Sequence, residues 1–286
     1  MKISTSDIKK LRDLTGAGYV DCKEALEENN SDFDKSIDYL RKKGISSAQK
    51  KGERSANDGL ISINVNNTNK EAAIIEINSE TDFVARNADF QDFVSNISSL
   101  NLEQKGDLEK LLNSKYDGNL KVSEALTNLV SKIGENISIK RCGYLEIKDG
   151  FVGTYIHNAE NENMGKIGVI ISVKTNVDFT KINDFLKKIC MHIAATNPTC
   201  LSEKDLDQNI LKKEKDFQLE EIKKSGKGEK ILEKILEGKM KKFFNEIILL
   251  EQNFIVDESL KIKQYIDQTS KELNESIEIE SFTRFK

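Results

Sequence analysis

The chain has 286 residues, 37% hydrophobic and 32% charged, with one Pro and no Trp; at roughly 150 residues per domain it has room for two domains and a small third. Its 44 Lys+Arg against 48 Asp+Glu leave a net charge of −4, which argues against a protein held mainly by nucleic-acid phosphates. No apolar run approaches the ~18 residues that a membrane span requires.

Apolar residues recur periodically, so the chain folds, and one Pro among many Lys, Glu, Ile and Leu predicts a helix-rich protein. Cys22, Cys142, Cys190 and Cys200 form no CxxC pair and read as reduced thiols rather than a disulfide frame or a zinc site. The opening MKISTSDIKKLRDL lacks the apolar core of a signal peptide, so the expected compartment is the cytoplasm.

In chain order, residues 1–45 read as three helices. The first follows Ser4, with Asp7 in capping-box position and Ile8, Leu11 and Leu14 on one stripe; it stops at Gly16-Ala17-Gly18. The second runs from about Tyr19 to Asn29 with Cys22, Ala25 and Leu26 inward. The third begins at Ser31, turns Phe33, Ile37 and Leu40 inward, and ends before Gly44. Residues 46–58 are small and polar, a linker by composition. Within 41–54, Arg41, Lys42, Lys43, Lys50, Lys51 and Arg54 face only Glu53, a charge run that reads as a solvated linker or as contact with an acidic surface.

From residue 59 the period changes to two. LISINV and AAIIEI flank the turn NNTNK as a hairpin. The loop NSETDFVARN leads into a helix carrying Phe90, Phe93, Val94, Ile97 and Leu100, and another helix covers Ser123 to Ile133. Three strand candidates follow (ISIKRCGYLEI, FVGTYIHN and IGVIISVKT), then a helix from Phe179 to Ala195. Strands followed by helix occur twice, which predicts two related α+β subdomains. Past Pro198, Ser202 and Asp205 cap a helix to about Lys224. A turn at Ser225-Gly226-Lys227-Gly228 and a helix to Leu249 complete a hairpin, and a helix near 258–272 and the strand SIEIESFTRF close the chain.

The inventory for catalysis is thin. His192 sits on an apolar helix face, where a core role with one hydrogen bond is the expectation, while His157 in YIHN reads as structural or contact-making. No spacing suits a metal, and no nucleophile motif occurs. GAGYVD and GKGEK only superficially imitate phosphate loops. The sequence therefore favours a protein that works by binding, not an enzyme, with no cofactor. Two junctions stand out. At Thr81-Asp82-Phe83-Val84 the bland reading has Asp82 cap the coming helix and Phe83 staple inward toward Phe90; the sharper one has a rigid tip offer an acid and an aromatic ring to a partner. At Ile133-Gly134-Glu135 a helix breaks at glycine before a strand.

LRDLTGAGYVDCKEAL at 11–26, TDFVARNADF at 81–90 and KIGENISIKR at 132–141 resemble the signature stretches of the elongation factor Ts family. So do YIHN at 155–158 with KIGVII at 166–171, MHIAATNP at 191–198, and EGKMKKFFNEIILLEQNF at 237–254, all in the family's order. The resemblance implies a guanine-nucleotide exchange factor that binds elongation factor Tu in its GDP-bound and nucleotide-free forms, with no direct contact to nucleic acid or membrane.

It further implies an α+β protein. A UBA-like three-helix domain and linker would occupy 1–55, with core subdomains at 56–140 and 141–200, the second completed by the strand at 276–286. A helical hairpin at 201–250 and a C-terminal module at 251–286 would follow. By the same resemblance, Thr81, Asp82, Phe83 and Val84 disturb the partner's Mg²⁺ site, and Ile133, Gly134 and Glu135 lie beside them. Leu11, Arg12, Tyr19, Val20, Asp21 and Cys22 grip another helix of the G domain, and His157 faces the partner's third domain. Homodimerisation through the hairpin, with Ile231, Leu232, Ile235 and Leu236 apolar, stays open beside self-sealing of the hairpin. The competing class is a helical scaffold or ribosome-associated binding protein using the basic 41–54 segment.

Overall fold

The computed structural model describes residues 3–223 and 229–286. The first three helices are α1 (Thr5–Thr15), α2 (Tyr19–Glu28) and α3 (Phe33–Lys51). Ser4 caps α1 by accepting the Asp7 N–H at 3.1 Å, and its hydroxyl donates to the Asp7 carboxylate at 2.6 Å. Ile8, Leu11, Cys22, Ala25, Leu26 and Leu40 form a small shared core.

Three expectations change here. Leu14 is 69% exposed; at about 100° per residue it has turned roughly 120° away from Ile8 and leaves the buried stripe. Ser31 has φ +64°, so the cap of α3 is Asp32, which accepts the Lys35 N–H at 3.1 Å. Finally, α3 continues through Gly44 to Lys51, so much of the expected linker is helix. The reason lies in packing. A Cβ at Gly44 would stand 2.8 Å from the Ser131 hydroxyl of a core helix, so glycine lets α3 lie against it, and Ala48 joins the core beyond.

The core opens with the hairpin of β1 (Asp58–Val65) and β2 (Glu71–Ser79), in register Leu60↔Ile77 and Val65↔Ala72. Then come α4 (Asp82–Ala85), α5 (Ala88–Glu103), α6 (Leu108–Asn113), β3 (Lys115–Asp117), β4 (Leu120–Lys121) and α7 (Val122–Ile133). The pieces α6, β3 and β4 are too short to show a period and were not expected from the sequence. Next are β5 (Ile137–Glu146), β6 (Gly150–Asn161), β7 (Met164–Lys174) and α8 (Phe179–Thr196). The remainder comprises α9 (Gln208–Lys223), α10 (Glu229–Ile247), β8 (Asn253–Phe254), β9 (Asp257–Lys261), α11 (Ile262–Leu273) and β10 (Glu278–Phe285).

The main sheet is antiparallel and has two halves, β1-β2-β5 and β6-β7-β10, joined where Ile61 and Ser62 of β1 meet Gly165 and Met164 of β7. Alternation along β1, β2 and β7 buries both of their faces. Leu60, Ile75 and Ile77 pack under α5 and α7 with Phe90, Phe93 and Leu129. Ile61, Ile63 and Ile74 meet Ile170 and Phe285 between the halves. Val169, Ile171 and Val173 pack under α8 and α11 with Phe185 and Ile266. The result is a helix–sheet–sheet–helix stack, whose period-two burial explains the β-branched runs.

Helix α8 carries His192 fully buried, with Nε2 2.8 Å from Gln252 Oε1 and Nδ1 accepting the Ile255 N–H at 3.3 Å. The imidazole ties α8 to the β8–β9 hairpin, the structural role expected of it. Ser202 and Asp205 cap a single 3-10 turn, Glu203–Asp205, rather than a long helix. α9 begins only after Asp207, whose carboxylate accepts the Asn209 N–H at 2.8 Å. The helix expected from 258 begins at Ile262, because the residues before it pair with β8 and Gln264 accepts the Lys261 N–H at 2.8 Å. Lys224, the turn at Ser225-Gly226-Lys227-Gly228 and the Ile231 side chain lie outside the described residues; Leu232, Ile235 and Leu236 are half-buried. Among the described residues no helix is long and apolar enough to cross a membrane.

A candidate partner-binding face

The four residues of α4 divide by direction. Val84 and Ala85 are 4% and 1% exposed and anchor the turn in the core below α5, whereas Phe83 is 76% exposed. A phenylalanine in water forgoes about 1.5–3 kcal/mol of burial, which contact with a partner would recover. Asp82 is also exposed, and its carboxylate lies 3.8 Å from the Arg86 guanidinium, a weak solvent-side pair. The inward-staple reading is thus overturned: the extra helical turn puts Val84, not Phe83, on the inner face. Nor does Asp82 cap the coming helix. Asn87 does, accepting the Phe90 N–H at 3.3 Å.

A second segment holds this tip from the side. Helix α7 ends at Gly134, whose φ of +89° carries the chain sharply away and whose N–H bonds Val130 O at 2.9 Å. The reversal brings Glu135 onto Thr81: Oε2 accepts the Thr81 N–H at 3.0 Å and Oε1 the Thr81 hydroxyl at 2.8 Å. A reciprocal bond runs the other way, from the Asn136 N–H to Glu80 Oε1 at 2.6 Å. Arg54 completes the clasp, with its guanidinium 3.4 Å from Glu80 and its carbonyl accepting Asn136 Nδ2 at 2.7 Å. Asn136 is 8% exposed, so these bonds satisfy polar groups that water barely reaches.

The N-terminal helices present a third patch. Arg12, Leu14, Tyr19 and Val20 are exposed, Val20 by 73%. Asp21 is half-buried and receives Lys43 at 2.8 Å; with Glu24 at 2.7 Å, these bonds hold the Lys43 ammonium well above the ordinary lysine range. Leu11 and Cys22, expected on this surface by resemblance, are both fully buried in the helical core. Burial pushes the Cys22 thiol up, away from thiolate chemistry. Leu14 was missed as a surface residue, although its place roughly 120° around the helix from Ile8 was a readable signal.

Helix α7 joins the three groups. The Lys132 stem lies 3.5 Å from where a Cβ at Gly16 would stand, and its ammonium reaches Asp89 of α5 at 2.7 Å. Residues 11–22, 81–84 and 133–135 are therefore linked through one helix. His157 is not among them; it is exposed on β6, in the other half of the sheet, 3.1 Å from the Tyr155 hydroxyl. Four of the six cations of the basic run have partners within the molecule: Arg41 pairs with Glu124, Lys43 with Asp21 and Glu24, Lys51 donates to Val130 O at 3.5 Å, and Arg54 meets Glu80, while Lys42 and Lys50 are exposed. A cleft of about 280 Å³ between α1, α3 and α7 is lined by Leu14, Ile37, Leu40 and Leu120, with Arg41 and Lys132 already engaged elsewhere. Among the described residues no three His, Cys, Asp or Glu side chains gather as metal ligands.

Residues 80–286 match the family model described as elongation factor TS. The chain is 41% identical to an elongation factor Ts of Mesorhizobium japonicum over 286 residues, covering 100% of this chain and 92% of that protein. It is likewise 41% identical over 286 residues to one of Bartonella henselae and 40% identical over 287 residues to one of Rhodospirillum rubrum, with the same coverage of both chains.

Proposed function

The chain belongs to the elongation factor Ts family of translation elongation factors, and from that premise we propose that it is a guanine-nucleotide exchange factor for elongation factor Tu. In this reading it acts in the cytoplasm, makes and breaks no covalent bond, and works by changing another protein's grip on GDP.

The observation that carries the reading is the exposure of Phe83 on a turn anchored from below by Val84 and from the side by Glu135. An apolar ring held out rigidly can enter a partner without first being ordered, so little of its binding energy is lost to conformational entropy. Beside it, Asp82 brings a carboxylate to the neighbourhood of the partner's Mg²⁺ and phosphates. Displacing those groups weakens GDP, and linkage requires that GDP weaken this protein's binding by the same factor.

Magnitudes set how many contacts are needed. Moving a two-state equilibrium by about 10⁴ takes about 5.5 kcal/mol of differential binding. One buried Phe supplies roughly 1.5–3 kcal/mol. The wedge therefore needs the neighbouring patches, and Arg12, Leu14, Tyr19 and Val20 offer such a surface on the helices that α7 braces. The competing scaffold reading drew on the basic run, whose cations are largely committed to internal partners. Release of a fluorescent GDP from elongation factor Tu, followed by stopped flow with and without this protein, tests the proposal. Acceleration is expected, and unchanged release would overturn it.

A further inference from the structure

We infer that Glu135 is a positioning residue that sets the orientation of Phe83 through Thr81, rather than a residue that touches the partner itself. The inference rests on the exchange reading above and assigns a role that neither the family resemblance nor the exposure of the tip supplies. Both Glu135 oxygens are turned inward to a single residue, one to the Thr81 N–H and one to its hydroxyl. Thr81 is the N-cap of α4, in an extended conformation with φ −130° and ψ 158°, and its own side chain caps nothing in that helix. A cap residue fixes the direction in which a helix leaves the preceding strand. Here that strand, β2, is buried from Ala72 to Ser79, and Val84 and Ala85 are buried on the far side of the tip, so the direction of the exposed segment between them turns on Thr81.

The clasp restricts that rotation from outside. Glu135 and Asn136 follow Gly134, so they move with the end of α7; Glu80 and Thr81 follow Ser79, the last residue of β2. Two bonds run from Thr81 to Glu135 and one from Asn136 back to Glu80, which fixes a distance and an angle at once. Charge-assisted bonds of this kind are among the stronger ones available at a partly buried site. Asp82 and Phe83 are the first two residues of α4 beyond that fixed point, and neither is otherwise packed. Without the clasp the ring still exists but its direction is less fixed, and only a fraction of the formed complexes hold it correctly at any moment.

The test is a kinetic split. Release of fluorescent GDP from elongation factor Tu is measured over a range of concentrations of the full-length protein. Glu135→Ala should lower the maximal release rate about tenfold, the population penalty for losing a charge-assisted bond, with the half-saturating concentration changed by less than about twofold. Glu135→Gln keeps one acceptor oxygen and should recover much of the rate. Thr81→Val, which removes only the hydroxyl, should fall between wild type and Glu135→Ala, and serves as the second variant should Glu135→Ala melt early. The decisive comparison is with Phe83→Ala: because Glu135 acts through the ring, the double variant should be no slower than Phe83→Ala alone. Fully multiplicative losses, or a Glu135→Ala effect confined to the half-saturating concentration, would make Glu135 a direct contact and overturn the inference. Failure of the exchange reading looks different, since wild type itself would then leave GDP release unchanged.

Discussion

Gly44 of α3 lies so close to α7 that a side chain there would begin 2.8 Å from the Ser131 hydroxyl. This contact, with the Arg41–Glu124 pair and the Lys51 bond to the Val130 carbonyl, turns what reads as a tether into a brace. The N-terminal patch and the Phe83 tip are then two ends of one supported surface, both referred to α7. Replacing Gly by Ala inside an open helix adds about 0.5–1 kcal/mol of stability. At Gly44 the close approach should cancel that gain. Gly238 in α10 has nothing within 4 Å of its would-be Cβ and provides the control. Gly238→Ala should raise local stability by that amount and Gly44→Ala should not, read by amide hydrogen exchange in α10 and α3. Equal gains at both positions would show that α3 does not press on α7.

Phe83 and Val84 are neighbours with opposite fates, 76% and 4% exposed. Phe83→Ala should leave the unfolding free energy within the change typical of surface substitutions, about ±0.5 kcal/mol. Its effect should appear in GDP release, slowed by about 10–150-fold if the ring's burial in the partner is worth about 1.5–3 kcal/mol. Val84→Ala should do the reverse first, costing roughly 1.5 kcal/mol of stability through two lost methyl groups. Calorimetry and stopped-flow release on the same preparations separate the two. A Phe83→Ala protein with wild-type release would remove the tip from the mechanism.

Much of this arrangement was legible in the sequence, and the failures have common causes. The strands were readable because β1, β2 and β7 bury both faces and so show runs of Ile and Val. The tip was readable as a junction, but not the direction of its ring. Inserting one helical turn, Asp82–Ala85, exchanges Phe83 for Val84 on the inner face, and four residues carry no period from which to see it. The helix period already turned Leu11 and Cys22 inward, where they are buried; only the resemblance, whose stretch also holds Tyr19 and Val20, put them on the partner-facing surface. The Glu135–Thr81 clasp spans a gap of 54 residues in sequence and depends on tertiary geometry alone. Small polar composition at 46–51 suggested a linker, whereas packing against α7 made those residues helix.

The N-terminal patch should act on binding rather than on chemistry of release. Val20 is 73% exposed and next to Tyr19 at the start of α2, so a charge there is tolerated by the fold. Val20→Asp should raise the half-saturating concentration of this protein in the exchange assay by about thirtyfold or more, since burying an unpaired polar group costs at least about 2 kcal/mol, while leaving the maximal rate close to wild type. Helical content and melting temperature should not move. A loss confined to the maximal rate would mean that this patch, too, works directly on the nucleotide site.

The one histidine of the core gives a pH dependence with a definite sign. Burial lowers the pKa of His192 below its ordinary value, only partly opposed by the hydrogen bond to Gln252. In the unfolded chain the imidazole binds a proton near pH 6.5, whereas in the folded chain it resists until lower pH. Between those two values the unfolded state holds more protons, so stability rises with pH; it falls as pH drops below about 6.5 and levels off under the folded pKa. The surface carboxylates whose pKa values shift, Glu24, Glu124 and Glu146 among them, are lowered by their hydrogen-bond partners and so lose their protons below the range from pH 5.5 to 7. Denaturant unfolding at pH 7 and pH 5.5 should therefore show a loss that His192→Gln, neutral throughout, largely abolishes. If the variant keeps the full pH dependence, another group is responsible, and His192 carries its proton in the folded protein.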